Sequence, residues 1–237
     1  MHGHVKILLP MLLALASCQS PPTKAPPGPA ATVAPVPRVT GAARRFSIDA
    51  EHSIIIVRVY RAGAFASLGH NHIIALRGLT GEILQREPVE RSSVSINIPV
   101  GEITVDDSEL RAVEGEDFAA SIPESARVGT RGNLRGDGVL DMAQYPNIVV
   151  RSSTIAQQGE VLRISATVEI RGQSRTIEVP ITLKRNGDQL LASGKLLLTQ
   201  SALGLKPFSV MLGALQVADE MSLHFLLTAR PQAGAPG

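Results

Sequence analysis

The chain is poor in the residues that most often announce a function. Of 237 residues one is cysteine, Cys18, none is tryptophan, and aromatic side chains make up 3%. A single thiol excludes a disulfide or a thiolate metal cage within one chain. The scarcity of aromatics leaves little for bases to stack on. The formal net charge is +2, with arginines and lysines scattered rather than striped, so nucleic acid is not an expected partner. No apolar run is long enough to cross a membrane as a helix; Ile7 to Ala16 spans about ten residues against a hydrocarbon core of about 30 Å. Gly-x-Ser-x-Gly elbows, Walker-type phosphate loops and dinucleotide glycine fingerprints are absent. The acidic run Asp106, Asp107, Glu109, Glu114, Glu116 and Asp117 lacks calcium-loop spacing and reads as a solvated helix-and-loop face. Nothing marks a nucleophile, so no enzyme is expected.

What is present begins with an address. Lys6 and the short apolar run after it fit a secretory signal. Leu15-Ala16-Ser17-Cys18 resembles the bacterial lipobox, in which small residues precede the cut and the cysteine thiol takes a diacylglycerol. Each acyl methylene buried contributes about 0.8 kcal/mol, so two or three chains anchor stably. Gln19 follows the cysteine where an Asp would resemble an inner-membrane retention signal. The expectation is therefore a lipoprotein anchored to the outer membrane and facing the periplasm. Residues 1–17 are the signal peptide, and 18–43 are the lipidated cysteine with a proline-rich tether. Proline fixes φ and removes donors, so that tether is extended and unpacked. Residues 44–230 form one domain, large enough for its own core, and a short Pro/Gly/Ala tail, 231–237, follows.

Within the domain, hydrophobic residues (44% of the chain) fall into β runs. Ser93 to Val100 alternates strictly, with Val94, Ile96, Ile98 and Val100 on one face, the pattern of a strand with one dry side. Phe46–Asp49, Ser53–Tyr60, His72–Leu76, Leu79–Leu84, Asn147–Ser152, Val161–Ile170, Arg175–Lys184, Gln189–Thr199 and Met221–Ala229 are further candidates. Gly172-Gln173 and Asn186-Gly187 sit between neighbouring runs as turns. About eight strands in sequence form an antiparallel meander that must close or stack to bury its edges. Leu110–Ala120 and Pro123–Leu134 break the β pattern and read as two short helices. The fold class is all-β: a single antiparallel, lipocalin-like barrel with one or two short helices.

Two segments carry candidate chemistry. In Leu68-Gly69-His70-Asn71-His72 the imidazoles stand two apart, so on a strand they share a face. That spacing suits a two-histidine metal pair needing a further donor, a polar anchor for a ligand head, or a turn fixed by hydrogen bonds. His52 and His224, on the first and last strands, approach each other if the barrel closes. The second segment, Thr199 to Asp219, is apolar and glycine-punctuated without being a clean strand. It reads either as a pocket mouth or lid, or as a plug of Leu205, Phe208, Met211 and Leu212.

Several ordered pieces resemble the YceI-like family of secreted bacterial proteins. These are Phe46-Ser47-Ile48-Asp49-Ala50-Glu51-His52-Ser53, Gly78-Leu79-Thr80-Gly81-Glu82-Ile83, the Tyr145-Pro146-Asn147-Ile148 strand start, the hairpin Val168 to Val179, and Ser201-Ala202-Leu203-Gly204. The resemblance implies an extended lipocalin-like barrel that binds a long amphiphile, such as an isoprenoid, a quinone or a fatty-acid derivative, in its lumen. Ala202-Leu203 stands where the family commonly has an Asp-Phe pair, and the His70/His72 cluster is a variant feature. On this reading the ligand contacts are His70, His72, Phe65, Leu205, Phe208 and Met211, and no other cofactor is implied. A metal site at His70 and His72, and an envelope interaction module whose barrel is plugged by its own side chains, remain alternatives.

Overall fold

A computed structural model describes residues 43–232; the expected signal peptide, Cys18 and most of the tether, as well as residues 233–237, lie outside the described residues. The strands are β1 (Arg44–Ile48), β2 (Ile54–Ala62), β3 (His72–Leu76), β4 (Thr80–Gln85), β5 (Ser93–Pro99), β6 (Thr104–Val105), β7 (Asn147–Gln158), β8 (Val161–Ile170), β9 (Gln173–Asn186), β10 (Gln189–Thr199), β11 (Ser209–Val210) and β12 (Leu215–Pro231). Two helices, α1 (Ser108–Ala112) and α2 (Glu124–Arg135), lie between β6 and β7.

These strands build eight staves. β1 and β2 both pair with β12, β3 and β4 pair with β2 and β1, and β6 and β5 pair with β3 and β4. Each of these couples is one long stave broken in its middle, and the three breaks lie side by side. β7, β8, β9, β10 and β12 complete the ring, and the β1–β12 pairing closes it; β9 and β10 pair only beside their hairpin, from Thr182 against Ser193 to Asn186 against Gln189. Ser53 restores the missing rungs at the first break: its Oγ accepts from Thr228 N–H (3.0 Å) and donates to the Thr228 carbonyl (3.3 Å). Inward from the breaks, Leu79, Val100 and Ile103 are buried.

Period-two patterning decides the rest. Along β8, Leu162, Ile164, Ala166, Val168 and Ile170 point inward and are buried, while the residues between them face out. The hairpin turns sit one residue away from where glycine spacing alone places them. Ile170 pairs with Gln173 and Asn186 with Gln189, so the loops are Arg171-Gly172 and Gly187-Asp188. Arg171 and Gly172 both take positive φ, at 49° and 68°, the twist that matches flanking strands.

Three expectations need correction. Leu110–Ala120 is not one helix: Asp107 caps α1 by accepting Glu109 and Leu110 N–H, the helix stops at Ala112, and a 3-10 turn at Glu116–Phe118 follows Gly115. The last strand starts at Leu215 and continues to Pro231, because pairing with β1 (Phe46 against Pro231) extends it into the expected tail. The acidic run is not uniformly solvated, since Asp106 is buried. No helix among the described residues is long and apolar enough to cross a membrane.

Candidate functional site

The inward faces enclose a cavity of about 270 Å³ that runs along the barrel. Its wall holds no charged side chain. Only Gln85, Ser92, Ser152 and Gln200 are polar; isoleucine, valine and leucine make most of the remainder, and Phe225 is the one aromatic. Phe225 lies flat because it pairs with Gly194; a Cβ at that glycine would meet the ring at 2.5 Å. The lumen thus stays open beside the ring. An enclosure with so few polar partners does not hold ordered water well and favours an apolar occupant.

The two ends differ. At one end, Leu134, Val139 and Leu140 from the helical segment and Leu203 and Leu205 after β10 join the wall, and Gln200 donates to the Ala218 carbonyl (2.7 Å). At the other end the staves are joined by short turns, and Gln85, Ser92 and Ser152 collect there. Ser152 Oγ accepts Val94 N–H (2.9 Å) and Ser92 Oγ accepts Arg86 N–H (2.9 Å), so both hydroxyls serve the backbone. Gln85 Oε1 accepts instead from Arg185 Nη2 (3.0 Å). β4 and β9, which carry these residues, are four staves apart in either direction around the ring.

The histidine pair sits at the capped end. His72 Nδ1 lies 2.6 Å from Asp106 Oδ2, while Asp106 Oδ1 accepts Ile73 N–H (3.0 Å) and Arg111 Nη1 (2.6 Å). Arg111 also donates to the carbonyls of Asn71 and Ala120. Burial pushes the Asp106 carboxyl up, but the hydrogen bonds from His72 and Ile73 and the charges of His72 and Arg111 outweigh it and hold it below the ordinary value. The His70 ring meets that of His72 edge-on, with centroids 4.5 Å apart, and its buried Nε2 has no partner. Burial and the neighbouring His72 lower the His70 pKa, against the pull of Asp106. One ligand atom from each of His70, His72 and Asp106 lies within 4.8 Å of the others. Both Asp106 oxygens are already engaged, so in this arrangement the carboxylate orients an imidazole in the way that supports metal-binding histidines.

The residues expected from sequence are not gathered in one place. Leu205 lines the cavity and Phe208 packs on the core. Phe65 is 44% exposed and Met211 61% exposed, on adjoining loops at the capped end. His70 and His72 lie beside Asp106 and are not part of the cavity wall. The barrel closes at its first and last strands as expected, but His52 turns to Asp49, whereas His224 stands near Arg58, Lys195 and Glu114. Sequence reading missed Gln85, Arg185 and Asp106. The first two show only as the last inward positions of their strands.

The family model of the YceI-like domain matches residues 46–229. No curated protein matches the sequence. Among solved structures, BcnA of Burkholderia cenocepacia is similar with a TM-score of 0.57 and 18% identity, over 76% of this chain and 98% of that one. The Campylobacter jejuni YCEI protein aligns with a TM-score of 0.47 and 11% identity, over 68% and 85% respectively. The likeness to BcnA shows a shared fold. Since the family match runs from the first buried residue of β1, Phe46, to Ala229 in the strand that closes the ring, this chain belongs to the YceI-like family.

Proposed function

We propose that the protein holds one slender apolar or amphiphilic molecule, isoprenoid-, quinone- or fatty-acid-like, in its barrel, as a carrier tethered through a lipid on Cys18 at the periplasmic face of the outer membrane. The family is one of barrel proteins that bind apolar ligands. The observation that carries the reading is the lumen itself: a cavity of about 270 Å³ with no charged wall residue. An eight-stranded barrel has room for side chains or for one small ligand, and this one is not filled by its own side chains.

Ala192 tests it. This small inward residue of β10 lines the cavity, and Ala192→Phe puts a ring into the space. The full chain is expected to bind the neutral fluorophore diphenylhexatriene, and A192F to lose that binding while keeping its far-ultraviolet circular dichroism. A folded A192F that binds as well as the parent places the site outside the lumen.

The proximity of His70, His72 and Asp106 favours a second reading, a divalent ion held between the imidazoles. One zinc equivalent retained through dialysis by the parent and lost by His70→Ala supports it; no retained zinc removes it.

A further inference from the structure

The lumen has a polar end and an apolar end, and the charged residues at the inward strand positions of the polar end, Arg44 and Arg185, are basic. Gln85 and Arg185 are the last inward-facing residues of β4 and β9. They stand on opposite sides of the ring, yet their side chains meet over the mouth at 3.0 Å. Arg44 pairs directly with Gln85 and shares the face of Phe46 and Ile48; its guanidinium rests 5.4 Å from the Phe46 ring. The inward positions of the strands at this end carry no carboxylate. Glu87, Glu90, Glu160 and Asp188 lie in the turns and are exposed, and Arg86 and Arg91 share the first of those turns.

Resting on the carrier reading above, we infer that Arg185, Gln85 and Arg44 form a head-group clamp, and that the bound molecule is a single-chain amphiphile with an anionic head, a carboxylate or a phosphate monoester. Among the polar wall residues at this end, Ser92 Oγ accepts from and donates to Arg86 and Ser152 Oγ accepts Val94 N–H, so the bridge supplies what neither hydroxyl can, a charged donor for the head. A guanidinium offers five donors in a planar fork that matches a carboxylate or phosphate in pairs, and here Arg185 spends one of them on Gln85. A neutral head would satisfy a donor but leave the Arg185 guanidinium, once parted from Gln85, without a charged partner beside an apolar interior. The tail then runs toward Leu203 and Leu205 at the capped end, where Gln200, which donates to the Ala218 carbonyl, offers the head no charge. The bridge spans the mouth, so the head enters by replacing Gln85 as the partner of Arg185.

The test is displacement of diphenylhexatriene from the full chain by hexadecanol, palmitate and hexadecyl phosphate. A charge-assisted bond at a wet mouth is expected to favour an anionic probe over the alcohol by about ten-fold. Which of palmitate and hexadecyl phosphate gains more tells carboxylate from phosphate recognition. Arg185→Gln is expected to abolish the preference of both anions over hexadecanol, read as the ratio of displacement constants within each protein, and added salt is expected to do the same in part. An unchanged anion preference in R185Q, or an equal loss for every probe, overturns the clamp while leaving the lumen as a binding site. If diphenylhexatriene and hexadecanol both fail to bind the parent chain, the carrier reading itself falls, and the clamp with it.

Discussion

Asp106 shows how one residue fixes a whole corner of the barrel. Its side chain is fully buried between His72 and Arg111, and its main chain holds positive φ (54°) while bonding Ile73. Removing one member of a buried, hydrogen-bonded ion pair leaves the other charge unpaired, so Asp106→Ala is expected to cost about 3–5 kcal/mol in urea unfolding. Because the Asp106 pKa is lowered in the folded state, its contribution is present above the ordinary value of about 3.9 and fades as pH falls through the lower native value. His70 and His224 act in a second window. Burial lowers both, helped by His72 in one case and by Arg58 and Lys195 in the other. The unfolded chain therefore takes up protons that the folded chain refuses, and stability is expected to drop as pH falls below about 6.5. His70→Gln should flatten that step in denaturation midpoints measured across it; an unchanged step assigns it to His224 or elsewhere. The histidines were visible in the sequence, but Asp106 was hidden in an acidic run because nothing local marks one carboxylate as buried.

At the scale of elements, the strands were legible and their ends less so. Alternation in β5 and β8 follows from inward and outward faces, which the sequence carries directly. Turn positions depend on cross-strand register, which it carries only through pairs of distant residues. Gly172 and Gly187 separate two effects. Both take positive φ, but a Cβ at Gly172 would meet the Tyr145 ring at 2.8 Å, whereas Gly187 has open space around it. Gly187→Ala is expected to cost about 1–2 kcal/mol, the left-handed penalty alone. Gly172→Ala is expected to cost more, because the Tyr145 ring must also move. Thermal midpoints that rank the two in the opposite order would show that Tyr145 yields without cost. The breaks within the three bent staves had no sequence signature that distinguished them from loops between separate strands. Ser53 and Leu79 are recognisable only once β12 and the neighbouring staves are in place.

At the scale of the molecule, the ring reconciles a chain poor in aromatics with a large apolar interior. Branched aliphatic side chains line the wall, Gly194 gives the Phe225 ring a place to lie flat, and the space left is a narrow tunnel. Fold class and barrel closure were readable from strand count and the need to cover edges. The Gln85–Arg185 bridge was not, since its partners are 100 residues apart and meet only because opposite staves converge at the mouth. The most direct test of a ligand-holding lumen is native mass spectrometry of the full chain, produced in a bacterial periplasm, beside A192F. The expected result is an added mass on the parent chain that organic solvent removes and that A192F does not carry. A parent chain that flies bare under gentle conditions, or that retains only a divalent ion, would contradict it.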